Sequence, residues 1–142
     1  MLDKLRASDA PAATLLIRVL VGTVFASEGV QKFLFAAELG AGRFAKLGLP
    51  HPELLAPLVG SVEILCGVAL LLGLLTRLAT LPLLAVMAVA LVKTKLPLLA
   101  AKGAWALAHE ARTDFAMVLG LLFLLAVGAG PLAVDARLGG KR

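Results

Sequence analysis

Residues 54–75 read LLAPLVGSVEILCGVALLLGLL, a run of 22 residues in which Glu63 is the only charged side chain. Crossing a bilayer takes about 20 predominantly apolar residues, so this stretch is long enough to span one. Its apolar residues do not alternate as they would in a strand, and a helix satisfies its own backbone in lipid. The stretch therefore predicts a transmembrane helix with a carboxyl group near its middle.

The rest of the chain has a similar composition. Of the 142 residues 61% are hydrophobic and 16% are charged, whereas soluble domains have about 45–50% apolar residues, even with glycine counted, and about 25% charged residues. A chain of this size has too little interior to bury so many apolar side chains. The composition excludes a soluble enzyme domain and a disordered chain. The single cysteine, Cys66, excludes a disulfide scaffold.

Three other apolar stretches resemble the first. The four predicted spans cover residues 14–35, 54–75, 78–96 and 114–134. Thr76 and Arg77 join the second span to the third in a tight hairpin. The sequence predicts an all-α membrane protein, a four-transmembrane-helix bundle.

The connection between the third and fourth spans, about residues 97–113, is rich in alanine and contains Trp105. It is interpreted as a short interfacial helix with the indole at headgroup level, and a fifth, poorly inserted turn of helix is the alternative. On a regular helix one face would carry Leu98, Ala101, Trp105 and Ala108.

The 14 basic and 9 acidic residues give a net charge of +5 and are spread along the chain without a cluster. This distribution favours loop charges facing anionic lipid headgroups, and no nucleic acid partner is expected. An even number of spans places both termini on one side. The basic flanks favour the cytoplasmic side of a bacterial inner membrane, and they contain Lys4, Arg6, Arg137, Lys141 and Arg142.

Ionisable side chains inside a span are the first functional candidates, because each costs about 2.5–3.5 kcal/mol at a helix centre. The candidate ligand or proton site comprises Glu28, Gln31, Lys32 and Glu63. Glu28 and Lys32 share a helix face because they are four residues apart. Glu28, Lys32 and Glu63 sum to −1 when ionised, so a bound proton or another cation is expected. The candidate cations are Arg18, Lys93 and Lys95.

Two alternatives need no ligand: the network could only fix the packing register, or Lys32 could extend to the membrane surface. Small residues on the same spans predict close helix contact. The candidate packing positions are Gly22, Gly29, Gly60 and Gly67. No spacing typical of metal ligands, a haem pair or a nucleotide loop is found, so no metal is expected.

The order of the motifs resembles the DoxX family of small four-helix membrane proteins over residues 15–138. The stretches that carry the resemblance are RVLVGTVFASEGVQKF (18–33), LGLP (47–50), E-x-x-x-G-x-x-L-x-x-G-L-x-T-R (63–77) and G-x-G-x-x-x-x-D (128–135). Where the family often has histidine before the G-x-x-K glycine, this chain has Glu28. The family's recurring residues fall on Arg18, Gly29, Lys32, Glu63, Gly67, Gly73, Arg77 and Asp135.

The resemblance implies a membrane subunit or anchor of a quinone- or sulfur-linked oxidoreductase, or of an oxidative-stress assembly. Such a subunit would not be catalytic alone. It would bind no tightly held cofactor, take a quinone as its ligand and recruit a soluble or membrane redox partner protein. Lys32 would donate a hydrogen bond to a quinone carbonyl, and Arg18, Arg77 and Asp135 would be supporting polar residues. A homo-oligomer is also expected, since glycine-striped helices leave a face to bury.

Two other functions stay open. Glu28 in the first of four spans resembles the carboxylate of the small multidrug resistance family, which favours a proton-coupled transporter. Against it, the chain has no tyrosine and its only tryptophan lies outside the spans, so a cation-binding aromatic cage is missing. The third interpretation is a structural assembly protein without a ligand.

Overall fold

The computed structural model describes residue 8 and residues 10–138. This part of the chain is helical and contains no β-strand, which confirms the all-α prediction for it. Lys4, Arg6, Lys141 and Arg142 lie outside the described residues. The elements in chain order are α1 (Thr14–Leu34), α2 (Ala41–Lys46), α3 (Pro52–Leu72), α4 (Thr76–Ala90), a π-helical turn (Leu91–Lys95), α5 (Leu96–Glu110), α6 (Arg112–Val127) and α7 (Val134–Leu138).

Helices α1 and α3 run antiparallel and approach each other at two glycine pairs. A Cβ atom added to Gly22 would lie 2.8 Å from the carbonyl oxygen of Gly67. A Cβ atom added to Gly29 would lie 2.5 Å from the carbonyl oxygen of Gly60. These separations leave no room for a side chain, so the two backbones are in direct contact where the sequence places small residues.

The hairpin between α3 and α4 lies earlier in the chain than expected, at residues 73–75 instead of Thr76 and Arg77. Helix α3 ends at Leu72 and is capped by Gly73, which has a φ of 69°. Thr76 and Arg77 form the first turn of α4. Helix α4 packs against α3 and α6, and α6 also contacts α1. The buried apolar core lies among these four helices and includes Val21, Phe25, Leu70, Leu83, Met87, Met117, Leu121 and Leu124.

Helix α5 is broken at Gly103, where the backbone adopts a φ of 82° and a ψ of 178°. Lys95 Nζ lies 3.1 Å from the carbonyl oxygen of Glu110, whereas a straight helix of this length would separate these ends by roughly 20 Å. The chain therefore turns back at Gly103. The predicted single face of Leu98, Ala101, Trp105 and Ala108 is wrong, because the glycine interrupts the helical period between its members.

Helix α6 ends at Val127, so the predicted extension of this helix to residue 134 is wrong. Gly128 and Gly130 have φ values of 83° and 78°, in the left-handed region that glycine tolerates, and Pro131 follows. The segment then crosses the end of the molecule to α7. This return brings Asp135 against the hairpin between α3 and α4, where its amide nitrogen donates to the carbonyl oxygen of Gly73 at 3.0 Å.

Three helical segments of the described chain are long and apolar enough to cross a membrane: Thr14–Leu34, Pro52–Leu72 and Thr76–Glu110. Large apolar side chains cover the outside of the helices, as expected for a surface that faces lipid. Examples are Leu16, Leu54, Leu65 and Phe115, all more than half exposed. Helix α6 has 16 residues, so the fourth span and the interfacial helix stay predictions.

Candidate functional site

A cavity of about 490 Å³ lies at one end of the molecule, which we call the open end. Its walls come from the last half of α1, from α2 and the loop after it, from the first half of α3, from the end of α4 with the π-helical turn, and from the start of α6. The volume falls within the range of about 300–1,000 Å³ that is typical of small-molecule sites. Both α1 and α3, the two helices in close backbone contact, therefore contribute side chains to the cavity wall.

The cavity wall contains an ion pair between α1 and α3. Lys32 Nζ lies 2.7 Å from Glu63 Oε2, and the side chains are 11% and 4% exposed. Lys32 Nζ also lies 4.0 Å from Glu28 Oε2, whose side chain is 54% exposed. One ammonium group therefore stands between a buried carboxylate and one that reaches the exterior.

Gly29 and Gly60 make this pairing geometrically possible. Lys32 follows Gly29 by three residues, and Glu63 follows Gly60 by three residues, so both side chains lie within one turn of the closest backbone contact. Because no side chain separates the helices there, a short contact between the ammonium and the carboxylate can form across the interface.

Other charged side chains complete the cavity wall. Lys95 Nζ lies 3.2 Å from Asp114 Oδ2 and donates to the carbonyl oxygen of Glu110 at 3.1 Å. The cations that line the cavity are Lys32, Arg43, Lys93 and Lys95, and the anions are Glu28, Glu63 and Asp114. Four cations against three anions leave the wall with a formal charge of +1, so the excess negative charge counted on α1 and α3 alone does not persist.

Most of the remaining wall is apolar. Phe25 and Met117 are buried members of the core, and Phe44 of α2 is 8% exposed. Val59 and Met87 face the same space. An apolar chamber with a few convergent charged groups is suited to an amphipathic molecule, whose polar end can be fixed by hydrogen bonds while its body is removed from water.

Gln31, the fourth member of the predicted site, does not reach the cavity. Its amide nitrogen donates to the Ser27 hydroxyl at 3.0 Å on the exposed side of α1. The helical period explains the separation, because neighbouring positions on a helix point about 100° apart.

Arg18 lies at the opposite end, which we call the closed end, and it is not a partner of Glu28. Its side chain is 1% exposed. The guanidinium donates to four carbonyl oxygens: Leu70 at 2.8 Å, Ala129 at 3.2 Å, Leu132 at 2.6 Å and Leu71 at 2.6 Å. Arg18 thus satisfies carbonyls at the end of α3 and in the return after α6, and its donors are used within the protein.

The other supporting polar residues also lie at the closed end. Asp135 is buried and exerts an electrostatic attraction on Arg18. Its Oδ2 accepts a hydrogen bond of 3.3 Å from the Thr76 amide, at the start of α4. Arg77 donates to the carbonyl oxygen of Ala126 at 2.9 Å. These contacts join the α3–α4 hairpin to the end of α6.

Two charged residues of the cavity wall, Arg43 and Asp114, were absent from the predicted site, and Lys93 and Lys95 were considered only as counter-ions. Arg43 lies in the connection between the first two spans, where no periodic pattern indicates its direction. Asp114 stands at the start of an apolar helix, which is also the favourable place for an acidic residue beside a helix dipole. Only the return of the chain at Gly103 brings Asp114 to Lys95.

Comparison with known proteins gives a consistent result. The sequence profile of the DoxX family matches residues 13–96, which include α1 and α3 and therefore Lys32 and Glu63. A protein of Mycobacterium tuberculosis described as an uncharacterized membrane protein is 49% identical over 137 residues, covering 92% of this chain and 84% of the relative. No solved structure matches the chain.

Proposed function

The chain belongs to the DoxX family of membrane proteins, and from this premise we propose that it is a non-autonomous membrane subunit that binds the headgroup of a quinone in the cavity of the open end. The observation that carries the proposal is the Lys32–Glu63 pair, at 2.7 Å, in the wall of an otherwise apolar chamber. A buried ammonium at the edge of such a chamber is a hydrogen-bond donor for a carbonyl oxygen.

The residues of the cavity fit a quinone headgroup. A quinone accepts and releases electrons and protons when bound. Lys32 donates to one carbonyl oxygen, and Glu63 holds the ammonium in place from across the helix interface. Phe25 and Met117 exclude water from the ring face. Glu28, which is half exposed, places a carboxylate where protons can be exchanged with the exterior.

The proposed subunit has a defined arrangement in the membrane. Helix α6 is the fourth span, with α5 folded back at the membrane surface so that Trp105, 89% exposed, lies at headgroup level. Both termini then lie on one side, the cytoplasmic side of a bacterial inner membrane. Trp105 is the only tryptophan, so its fluorescence tests this placement: lipids brominated near the headgroup should quench it more strongly than lipids brominated near the chain end. The opposite order would contradict it.

Quinone binding is tested with the purified protein in nanodiscs. We expect Lys32→Met and Glu63→Gln to weaken the binding of a short-chain quinone by about tenfold or more, which is the loss of one charge-assisted hydrogen bond. Gln31→Leu is the matched control, because this neighbour on α1 does not line the cavity. Undiminished binding by a folded Lys32→Met variant would contradict the proposal.

The subunit role is tested separately. The chain contains no haem pair and no cysteine pair to hold electrons, so the proposal requires a redox partner protein. Native mass spectrometry of the protein extracted in mild detergent should show a complex with such a partner, in which this chain is present as one copy or as a homo-oligomer. A monomer that binds quinone without any partner would contradict the subunit role and leave the binding site in place.

A further inference from the structure

Two of the cations that line the cavity, Arg43 and Lys93, form no ion pair within the described part of the chain. Both side chains belong to exposed residues. Lys32 and Lys95, by contrast, have carboxylate partners at 2.7 Å and 3.2 Å. The unbalanced positive charge of the cavity therefore lies at Arg43 and Lys93, outside the buried pair.

The segments that carry these two cations are held in place. Next to Arg43, the ring of Phe44 is buried and attaches α2 to the body of the protein. On the other segment, the Lys95–Asp114 pair fixes the end of the π-helical turn against the start of α6. Lys93, Thr94 and Lys95 are consecutive residues of this turn and all line the cavity. Single π-helical turns within α-helices are frequent at functional sites.

We infer that the cavity prefers an anionic amphipathic ring, such as a hydroxy-substituted quinone with an ionised oxygen, to the corresponding neutral ring. The inference rests on the proposed function, because it assigns the chemical class of the ligand of the same cavity. The Arg43 guanidinium and the Lys93 ammonium attract the ionised oxygen, and the guanidinium can donate two parallel hydrogen bonds, one to this oxygen and one to the neighbouring carbonyl oxygen of the ring.

The carboxylates of the cavity do not cancel this attraction. Glu63 and Asp114 are each paired with a lysine. Glu28 is the carboxylate that opposes an anionic ligand, and its side chain is 54% exposed and lies 4.0 Å from Lys32. Water and salt screen a charge in that position more than they screen one inside the chamber.

The test uses two ligands that differ in one ionised oxygen, 1,4-naphthoquinone and 2-hydroxy-1,4-naphthoquinone at neutral pH. Their dissociation constants are measured with the full chain in phosphatidylcholine nanodiscs. The constant of 1,4-naphthoquinone is divided by that of 2-hydroxy-1,4-naphthoquinone, and this ratio is compared between variants. In the wild type this ratio should exceed one, which means tighter binding of the hydroxy compound. In Arg43→Gln/Lys93→Gln it should fall by about fivefold, the effect of two partly exposed charges.

The matched control is Lys46→Gln/Lys102→Gln. Both lysines are exposed and neither lines the cavity, so this variant loses the same total charge and should keep the wild-type ratio. An equal fall in the control would assign the effect to the overall field of the protein. That outcome, or an unchanged ratio in Arg43→Gln/Lys93→Gln, overturns the inference.

The failure of quinone binding itself gives a different result. If neither naphthoquinone binds, or if Lys32→Met leaves both affinities unchanged, the proposed function fails and the inference fails with it. If Lys32→Met weakens the binding of both compounds but Arg43→Gln/Lys93→Gln leaves the ratio of their dissociation constants unchanged, only the inference fails. An anionic lipid is the other source of an ionised oxygen. Loss of binding of both compounds in phosphatidylglycerol nanodiscs would assign the cavity to a lipid phosphate and overturn the inference.

Discussion

The closed end and the open end each hold a buried cation, but the two cations have different kinds of partner. Arg18 donates to four main-chain carbonyl oxygens, from the end of α3 and from the return after α6. Lys32 contacts side-chain carboxylates at 2.7 Å and 4.0 Å in the wall of a cavity. Carbonyls of the main chain cannot move without local unfolding, whereas side chains beside a cavity can exchange partners when a ligand enters.

The two buried cations therefore have different roles, structural for Arg18 and functional for Lys32. At the closed end the guanidinium completes the hydrogen bonding of helix termini, so its donors are unavailable to a ligand. At the open end the ammonium has one close partner and faces free volume. A buried charge in a membrane helix is thus informative about function only when its partners are known.

The largest effect is expected from Arg18→Met at the closed end. It leaves four carbonyls without their donor and removes the attraction between Arg18 and Asp135, so unfolding in mixed detergent micelles should require about 3–5 kcal/mol less free energy. Arg18→Lys keeps the charge but not the planar fork, and its loss should be intermediate. A loss below about 1 kcal/mol for Arg18→Met would contradict the structural role.

Gly29→Leu tests the contact that joins the two helices of the open end. The new side chain would meet the carbonyl oxygen of Gly60 at 2.5 Å and Ile64 at 2.8 Å, so the helices must separate and stability should fall by about 3 kcal/mol. The Lys32–Glu63 contact should lengthen with it and quinone affinity should decrease. Ser61→Leu, on the exposed face of α3, should change neither measurement.

Lys32→Met should reduce stability by about 2 kcal/mol, less than Arg18→Met, because it removes one close contact instead of four. Adding Glu63→Gln should recover part of this loss, since the second substitution removes the unpaired charge. A double-mutant cycle on unfolding free energies measures the recovery. Strict additivity of the two losses would show that the pair is not coupled.

The smallest effect on stability is expected from Lys95→Met. Its pair with Asp114 is partly exposed, with side chains at 19% and 21%, and such pairs contribute about 0.2–1 kcal/mol. The local effect should be larger, because the pair closes the chain reversal around Gly103. Hydrogen exchange should accelerate in residues 91–110, while Lys102→Met, with no ion-pair partner in the described chain, should leave it unchanged.

The local sequence predicted the first two spans closely. The expected bounds 14–35 and 54–75 compare with Thr14–Leu34 and Pro52–Leu72, since a long run of predominantly apolar residues suffices to specify a membrane helix. The later elements were harder to predict. Gly103 interrupts an alanine-rich stretch that otherwise reads as a regular helix, and the fourth apolar run continues past the helix end at Val127.

The site was predictable only where it depends on spacing along one helix. The four-residue separation of Glu28 and Lys32 is a local property, and so is the carboxyl of Glu63 in an apolar run. The distances that join Lys32 to Glu63, and Lys95 to Asp114, depend on how separate helices pack. The same count of charges allowed Arg18 as a partner of Glu28, and the packing places it at the other end.

The sequence by itself determined that this is a helical membrane protein of the DoxX family, because apolar length, charge depletion and motif order are properties of consecutive residues. Only the tertiary structure decided the role of each charge. The energy of a charge depends on which groups lie within a few ångströms of it and on whether water reaches it. The glycine contacts between α1 and α3 and the chain reversal at Gly103 set those distances.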